Sequence, residues 1–196
     1  MNFRNQPGLT LTEMAVAIGI AGVLLWTAIT SLRVSAYRGH GTQMLSNMMQ
    51  LHLATQSMAL DGTTTGNTNL NWPGDTGGTF VRWAILIVGE GYLTQHDFCN
   101  LLSGPGKTIP RKFMPAANTN AILVYAVRET SPSEATYLTS ANFTNTPTGG
   151  APLHPDAKPF GDKSFVVFRK GGDGAILIPR AIGHTNQIGL FVPLCR

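Results

Sequence analysis

The chain reads as an α+β protein: a long N-terminal helix, its first half apolar enough for a membrane, packed through its second half on a C-terminal antiparallel β-sheet. Three observations predict this. An almost uninterrupted apolar run from Gly8 to Leu32 leads into a stripe of apolar residues at helical spacing that reaches Met58. Strand-like segments begin only at Ala121. Two of those segments flank a Gly-rich turn, the mark of a hairpin.

The apolar run is GLTLTEMAVAIGIAGVLLWTAITSL, preceded by the leader MNFRNQPG with one cation, Arg4. No charge occurs from Met14 to Leu32. At about 1.5 Å per residue that stretch forms a helix of roughly 28 Å, enough to cross a bilayer core. Glu13 stands at its edge. A carboxylate carried to the membrane centre costs about 2.5–3.5 kcal/mol, so the acid is expected to have a task.

Past the run, Val34, Tyr37, Met44, Met48, Leu51, Thr55 and Met58 share one helix face, while Ser35, Gln43, Asn47, Gln50 and Gln56 occupy others. The stripe predicts packing against the sheet, with the Met residues as core. Gly39 and Gly41 flank His40 and make a weak point, since each Gly costs about 0.8–1 kcal/mol relative to Ala. Asp61-Gly62 is the expected helix stop, with Gly62 as cap. Residues 61–78 read as an exposed loop.

Thr79 to Glu90 has helical spacing that gathers Phe80, Trp83, Ala84 and Ile87, with Thr79 as N-cap. Gln95 to Leu102 reads as a second short helix that carries Cys99 towards the core, and 103–118 as loop. Ala121–Glu129, Thr136–Phe143, Ser164–Lys170, Ala175–Arg180 and Ile188–Val192 are the expected strands. A Pro/Gly-rich loop separates Thr144 from Lys163.

Only 12% of residues are charged, and the formal net charge is +4. The cations are scattered apart from Lys107/Arg111/Lys112 and Arg169/Lys170, with no basic stripe interleaved with aromatics, so no nucleic-acid partner is expected. Gly104-Pro105-Gly106-Lys107-Thr108 resembles the end of a phosphate loop, but Leu101 stands where that motif needs Gly. His96/Cys99 and His154/Asp156 have metal-like spacing without further ligands, and no metal site is expected. Asp156, Asp162 and Asp173 are oxygen donors for calcium on one reading and turn residues on the other, favoured one. No nucleophile elbow, paired-His motif or triad is recognisable, so no catalytic residue is assigned and an enzyme is not expected.

The N-terminal residues resemble the type IV prepilins and the pseudopilins of type II secretion. In that family a short basic leader ends in Gly, a prepilin peptidase cuts after it, the new N-terminus is methylated, and the fifth mature residue is Glu. The matching residues here are Gly8 at the cut, Leu9 as the methylated N-terminus, then Thr10, Leu11, Thr12 and Glu13. Leu9 stands where the family most often has Phe, and Thr30 where many pilins have a helix-kinking Pro. The resemblance covers about 25 residues and rests on the leader, the Gly, the Glu and the run occurring together.

The resemblance implies a leader at 1–8, a membrane and filament-core helix at 9–36 and a globular domain at 37–196. It implies a structural subunit of a type II secretion pseudopilus or a type IV pilus, single-pass in the inner membrane before assembly and periplasmic or extracellular afterwards. Its partners would be copies of itself, other minor pilins or pseudopilins, the prepilin peptidase and an inner-membrane assembly platform. Glu13 would meet the Leu9 ammonium of a neighbouring subunit. Ala15, Ala17, Gly19, Ala21 and Gly22 supply a small-residue surface for close helix approach.

In an exported domain Cys99 and Cys195 are expected to pair as a disulfide, worth up to about 4.7 kcal/mol for so long a loop. Two reduced thiols are the alternative. Two other readings of the N-terminus stay open. A secretory signal peptide would be cut near Val34-Ser35-Ala36 and start the mature chain at Tyr37, and a plain anchor would hold a monomeric exported binding domain. An exported enzyme is the third and least supported function. Arg33 and Arg38, on the presumed outer side, balance Arg4 against the favoured orientation.

Overall fold

The computed structural model describes residues 11–110 and 119–195, with the side chains of 30–38 outside the description. The elements are α1 (Leu11–Thr65), α2 (Phe80–Gly89), α3 (Gln95–Leu102), β1 (Ile122–Val124), β2 (Thr136–Ser140), β3 (Phe165–Arg169), β4 (Gly174–Leu177) and the short α4 (Thr185–Ile188). The chain divides into two units, Met1–Gly39 and His40–Arg196. The fold is α+β, an apolar N-terminal helix followed by a four-stranded antiparallel sheet in the order β1-β2-β3-β4.

In the second unit α1 keeps one face in the core. Gly41, Met44, Met48, Leu51, Thr55, Met58 and Gly62 are buried along it, so the helical spacing is met from residue 41 onward. Val34 and Tyr37 lie outside the described side chains. The expected weak point at Gly39–Gly41 does not interrupt the helix. Gly41 has a packing reason: a Cβ there would stand 2.9 Å from Ile176 Cδ1, so glycine lets the helix approach β4.

The helix also runs past the expected stop, to Thr65. The hydroxyls of Thr63 and Thr64 donate to Leu60 O, and that of Thr65 donates to Asp61 O, which holds the last turn together. Gly66, at φ 72°, is the residue that leaves the helix. Gly62 is not a cap: a Cβ on it would lie 1.8 Å from Leu70 O. The segment after the helix is not simply exposed, because Leu70, Trp72 and Thr76 are buried.

α2 buries Phe80, Trp83, Ala84 and Ile87, the face expected for it, although the Thr79 side chain makes no cap bond. Thr94 caps α3, accepting from the Asp97 N–H at 3.1 Å, and Cys99 is buried as expected. α1, α2 and α3 contribute to one large core with Val166 and Phe168 of β3. Phe165 and Val167 face the other side of the sheet, where they meet Phe143, Ala181 and Ile188. Phe143 stacks on Phe165 at 4.1 Å. Burial on both faces explains why Phe165–Phe168 reads as a continuous apolar run.

The strands are shorter than the β-rich runs. β1 runs only to Val124, although Tyr125 N–H still donates to Tyr137 O at 2.9 Å; the ladder then stops because Val127 N–H takes Tyr125 O and Gly74 N–H takes Val127 O. Ile188–Val192 is not a strand. Ile188 ends α4, Gly189 turns at φ 105°, and only Leu190 bridges, to Ala135. The β3–β4 hairpin forms as expected, with Gly172 at φ 91° in its turn.

Candidate functional site

The segment Leu11–Ile29 is the one stretch among the described residues long and apolar enough to cross a membrane. None of it is buried in the folded chain. Its apolar residues point in every direction around the helix, and Leu11, Ile18, Leu24 and Trp26 are more than three-fifths exposed. A helix apolar all round, with no protein over it, calls for lipid or for other helices. Gly19 and Gly22 have open space where a Cβ would stand, so a neighbouring backbone could approach closely there.

Glu13 sits in the first turn of α1, where the helix dipole favours a negative charge. Gly8 and Leu9, the expected cut and methylation residues, lie outside the described residues. Thr30 is helical, so α1 carries no break at the position of the family proline.

Cys99 and Cys195, the expected disulfide pair, are both buried in one apolar core. Burial pushes the Cys99 thiol up and the Cys195 thiol up to about 12.

Among the described residues no three His, Cys, Asp or Glu converge on a point. His96 is exposed while Cys99, three positions on, is buried. Asp173 accepts from Arg169 Nη1 at 2.5 Å and so braces the hairpin turn. Gly104 and Lys107 exchange both backbone hydrogen bonds at 2.9 Å, which makes the glycine-rich segment a closed turn after α3.

The sequence reading missed a groove of about 560 Å³ between α1 and the β3–β4 turn. Met49, Leu53 and Leu60 form an apolar wall on the outward face of α1, and Lys170 lies on the rim. Lys170 Nζ stands 5.3 Å from the Trp72 ring and donates to Ser131 O at 2.8 Å. His52 is buried beneath, with Trp72, Tyr137 and Phe168 rings at 5.7, 6.0 and 5.3 Å. Its Nδ1 has no hydrogen-bond partner among the described residues, and burial lowers its pKa from the ordinary 6.5. His52 follows Leu51 on the stripe, which is the signal that would have placed it.

No family model matches the sequence, and neither a curated protein nor a solved structure matches the chain.

Proposed function

We propose that this chain is a structural subunit of a helical filament of the type IV pilin or type II secretion pseudopilin kind. The observation that carries the reading is the exposed helix Leu11–Ile29, apolar on all sides, with Glu13 in the first turn and a separate folded unit after it. The filament would form by gathering these helices into a shared core. Before assembly the same helix would rest in the inner membrane. The mature chain would begin at Leu9, methylated after a prepilin peptidase cuts at Gly8.

Within that reading Glu13 sets register. The reference pKa values, about 4.3 for Glu and about 7.7–8.0 for an N-terminal amine, leave both groups charged near neutral pH. In an apolar core an ammonium without its carboxylate is strongly disfavoured, so a subunit stops where the two meet.

Two measurements test this. Mass analysis of membrane-extracted protein should give an N-methylated Leu9, whereas a mature start at Tyr37 would mean a cleaved signal peptide. Glu13→Ala should leave processing and folding unchanged and cut filament number at least about tenfold, as expected when a buried charge loses its partner. Normal filaments from that variant at equal subunit levels would remove the register role.

A further inference from the structure

His52 is 6% exposed, and neither of its ring nitrogens has a hydrogen-bond partner among the described residues. A neutral imidazole carries one N–H and one lone pair, so either tautomer leaves a donor and an acceptor unmet. Buried polar groups without partners are rare, and each calls for one. The Nε2 atom looks towards Gly172 in the β3–β4 turn. A Cβ on that glycine would stand 3.5 Å from Nε2 and would meet nothing else within 4 Å except the same ring. A larger residue would cover the nitrogen. Glycine leaves it open to the groove of about 560 Å³ that both residues line.

The groove follows α1 from Met49 to Thr63, about 21 Å at the helical rise. So small a volume over that length describes a channel one chain wide. Beyond His52 its helical wall is apolar, with Leu53 49% and Leu60 62% exposed to it. At the far end the Thr63 hydroxyl donates to Leu60 O. Glu129 and Lys170 stand on the other wall, one charge of each sign. Lys170 Nζ is already taken up by Glu129 O, Ser131 O and the Trp72 ring.

We propose that this groove binds a neutral, slender amphiphile of the medium-chain alcohol class, its hydroxyl on His52 Nε2 and its chain along Leu53 and Leu60. A hydroxyl both donates and accepts, so it satisfies either tautomer of the imidazole. A chain without polar atoms suits the leucine wall, and removing it from water drives binding. One deep polar anchor under apolar walls is the usual build of a small-molecule site. An ionic head gains no net attraction from walls of balanced charge. A peptide would lay a polar amide against the leucines at every residue, with nothing there to meet it. The groove lies wholly within His40–Arg196, so the proposal stands apart from the filament reading.

The test is photolabelling of the full chain in its membrane with 1-octanol tagged by a diazirine at the chain end, the labelled residues being located by peptide fragmentation. Two regions should be labelled. Label on Leu11–Ile29 reports probe dissolved in lipid and should rise in proportion to its concentration. Label on residues 49–63 should saturate and should be displaced by excess untagged 1-octanol. His52→Phe keeps an aromatic ring and removes both nitrogens. It should cut label on 49–63 about tenfold relative to Leu11–Ile29, as expected for one lost hydrogen bond. Octane carrying the same tag, with no hydroxyl, should label the two proteins alike. Leu60→Gln changes an exposed position, so it should reduce label on 49–63 with an unchanged melting temperature, which keeps the test clear of any unfolding caused at the buried His52. Label on 49–63 that never saturates, or equal labelling of wild type and His52→Phe by the alcohol, would overturn the proposal. Full labelling of the Leu60→Gln chain would do the same.

Discussion

The two parts of α1 solve opposite problems with similar residues. Between Leu11 and Ile29 the apolar side chains are all outside, with Trp26 at 73% exposure. From Gly41 to Gly62 one stripe is buried, with Met48, Leu51 and Met58 fully so, while Met49, Leu53 and Leu60 stay exposed on the outward face. Hydrophobicity alone does not separate the two parts. The arrangement does: apolar all round in the exposed part, buried on one face in the part that closes a core. The same truncation should therefore have opposite consequences in the two places.

Trp83 gives the largest expected effect. It is fully buried under the second part of α1, its Nε1 donates to Thr55 Oγ1 at 3.2 Å, and Phe80 and Phe98 pack on its ring. Trp83→Ala should cost about 3–5 kcal/mol, a large share of a stability of about 5–15 kcal/mol. Leu24→Ala, in the exposed part, should leave the unfolding midpoint of the detergent-solubilised chain unchanged. Equal losses in chemical denaturation would mean the first part is also core.

Glycines sharpen the contrast at smaller magnitude. Gly39→Ala meets nothing within 4 Å and should be neutral or gain up to about 1 kcal/mol of helix propensity. Gly62→Ala gains the same propensity but drives a Cβ to 1.8 Å from Leu70 O, a backbone atom that moves only with its loop. Overpacking of this kind costs about 1–3 kcal/mol, so the variant should melt lower. A rise in melting temperature would show that the 66–72 loop yields freely.

Tyr137→Phe ranks next. Thr55 has one hydroxyl proton and gives it to Leu51 O at 2.9 Å, so at 2.7 Å it is Tyr137 Oη that donates to Thr55. The Trp83 indole remains on Thr55 in the variant. Losing one buried hydrogen bond with the acceptor still satisfied should cost about 1 kcal/mol, read from the denaturation midpoint.

Much of this fold was legible because periodicity reports burial directly. The stripe from Met44 to Met58, the buried face of α2 and the β3–β4 hairpin each follow from local spacing. What was not legible depended on partners distant in sequence. The helix ran past Gly62 because that glycine serves Leu70 rather than the chain end. The β1 ladder stopped early because Val127 and Gly74 take the carbonyls of Tyr125 and Val127 that would have continued it. The α3 spacing placed Cys99 towards the core, whereas nothing local to Cys195 showed its depth. Of the candidate site, the apolar run and Glu13 were readable, whereas the His52–Trp72 groove needs two segments brought together by the fold.

The smallest effect concerns His52, and it isolates the second part of α1 by pH. The imidazole is buried among Trp72, Tyr137 and Phe168, and its Nδ1 has no partner to hold a proton's charge. Desolvation therefore lowers the folded-state pKa below the ordinary 6.5. Below pH 6.5 the unfolded chain binds the proton and the folded chain does not. Stability contributed by neutral His52 is thus complete above about pH 6.5 and is lost as pH falls from there through the lowered folded value. The other four histidines are exposed. Denaturation midpoints measured from pH 7.5 to 5 should fall in the wild type and stay flatter in His52→Met, which keeps an apolar filler but has nothing to protonate. Parallel slopes in the two proteins would show that His52 is protonated in the folded domain at no cost, and that the cage opens to water.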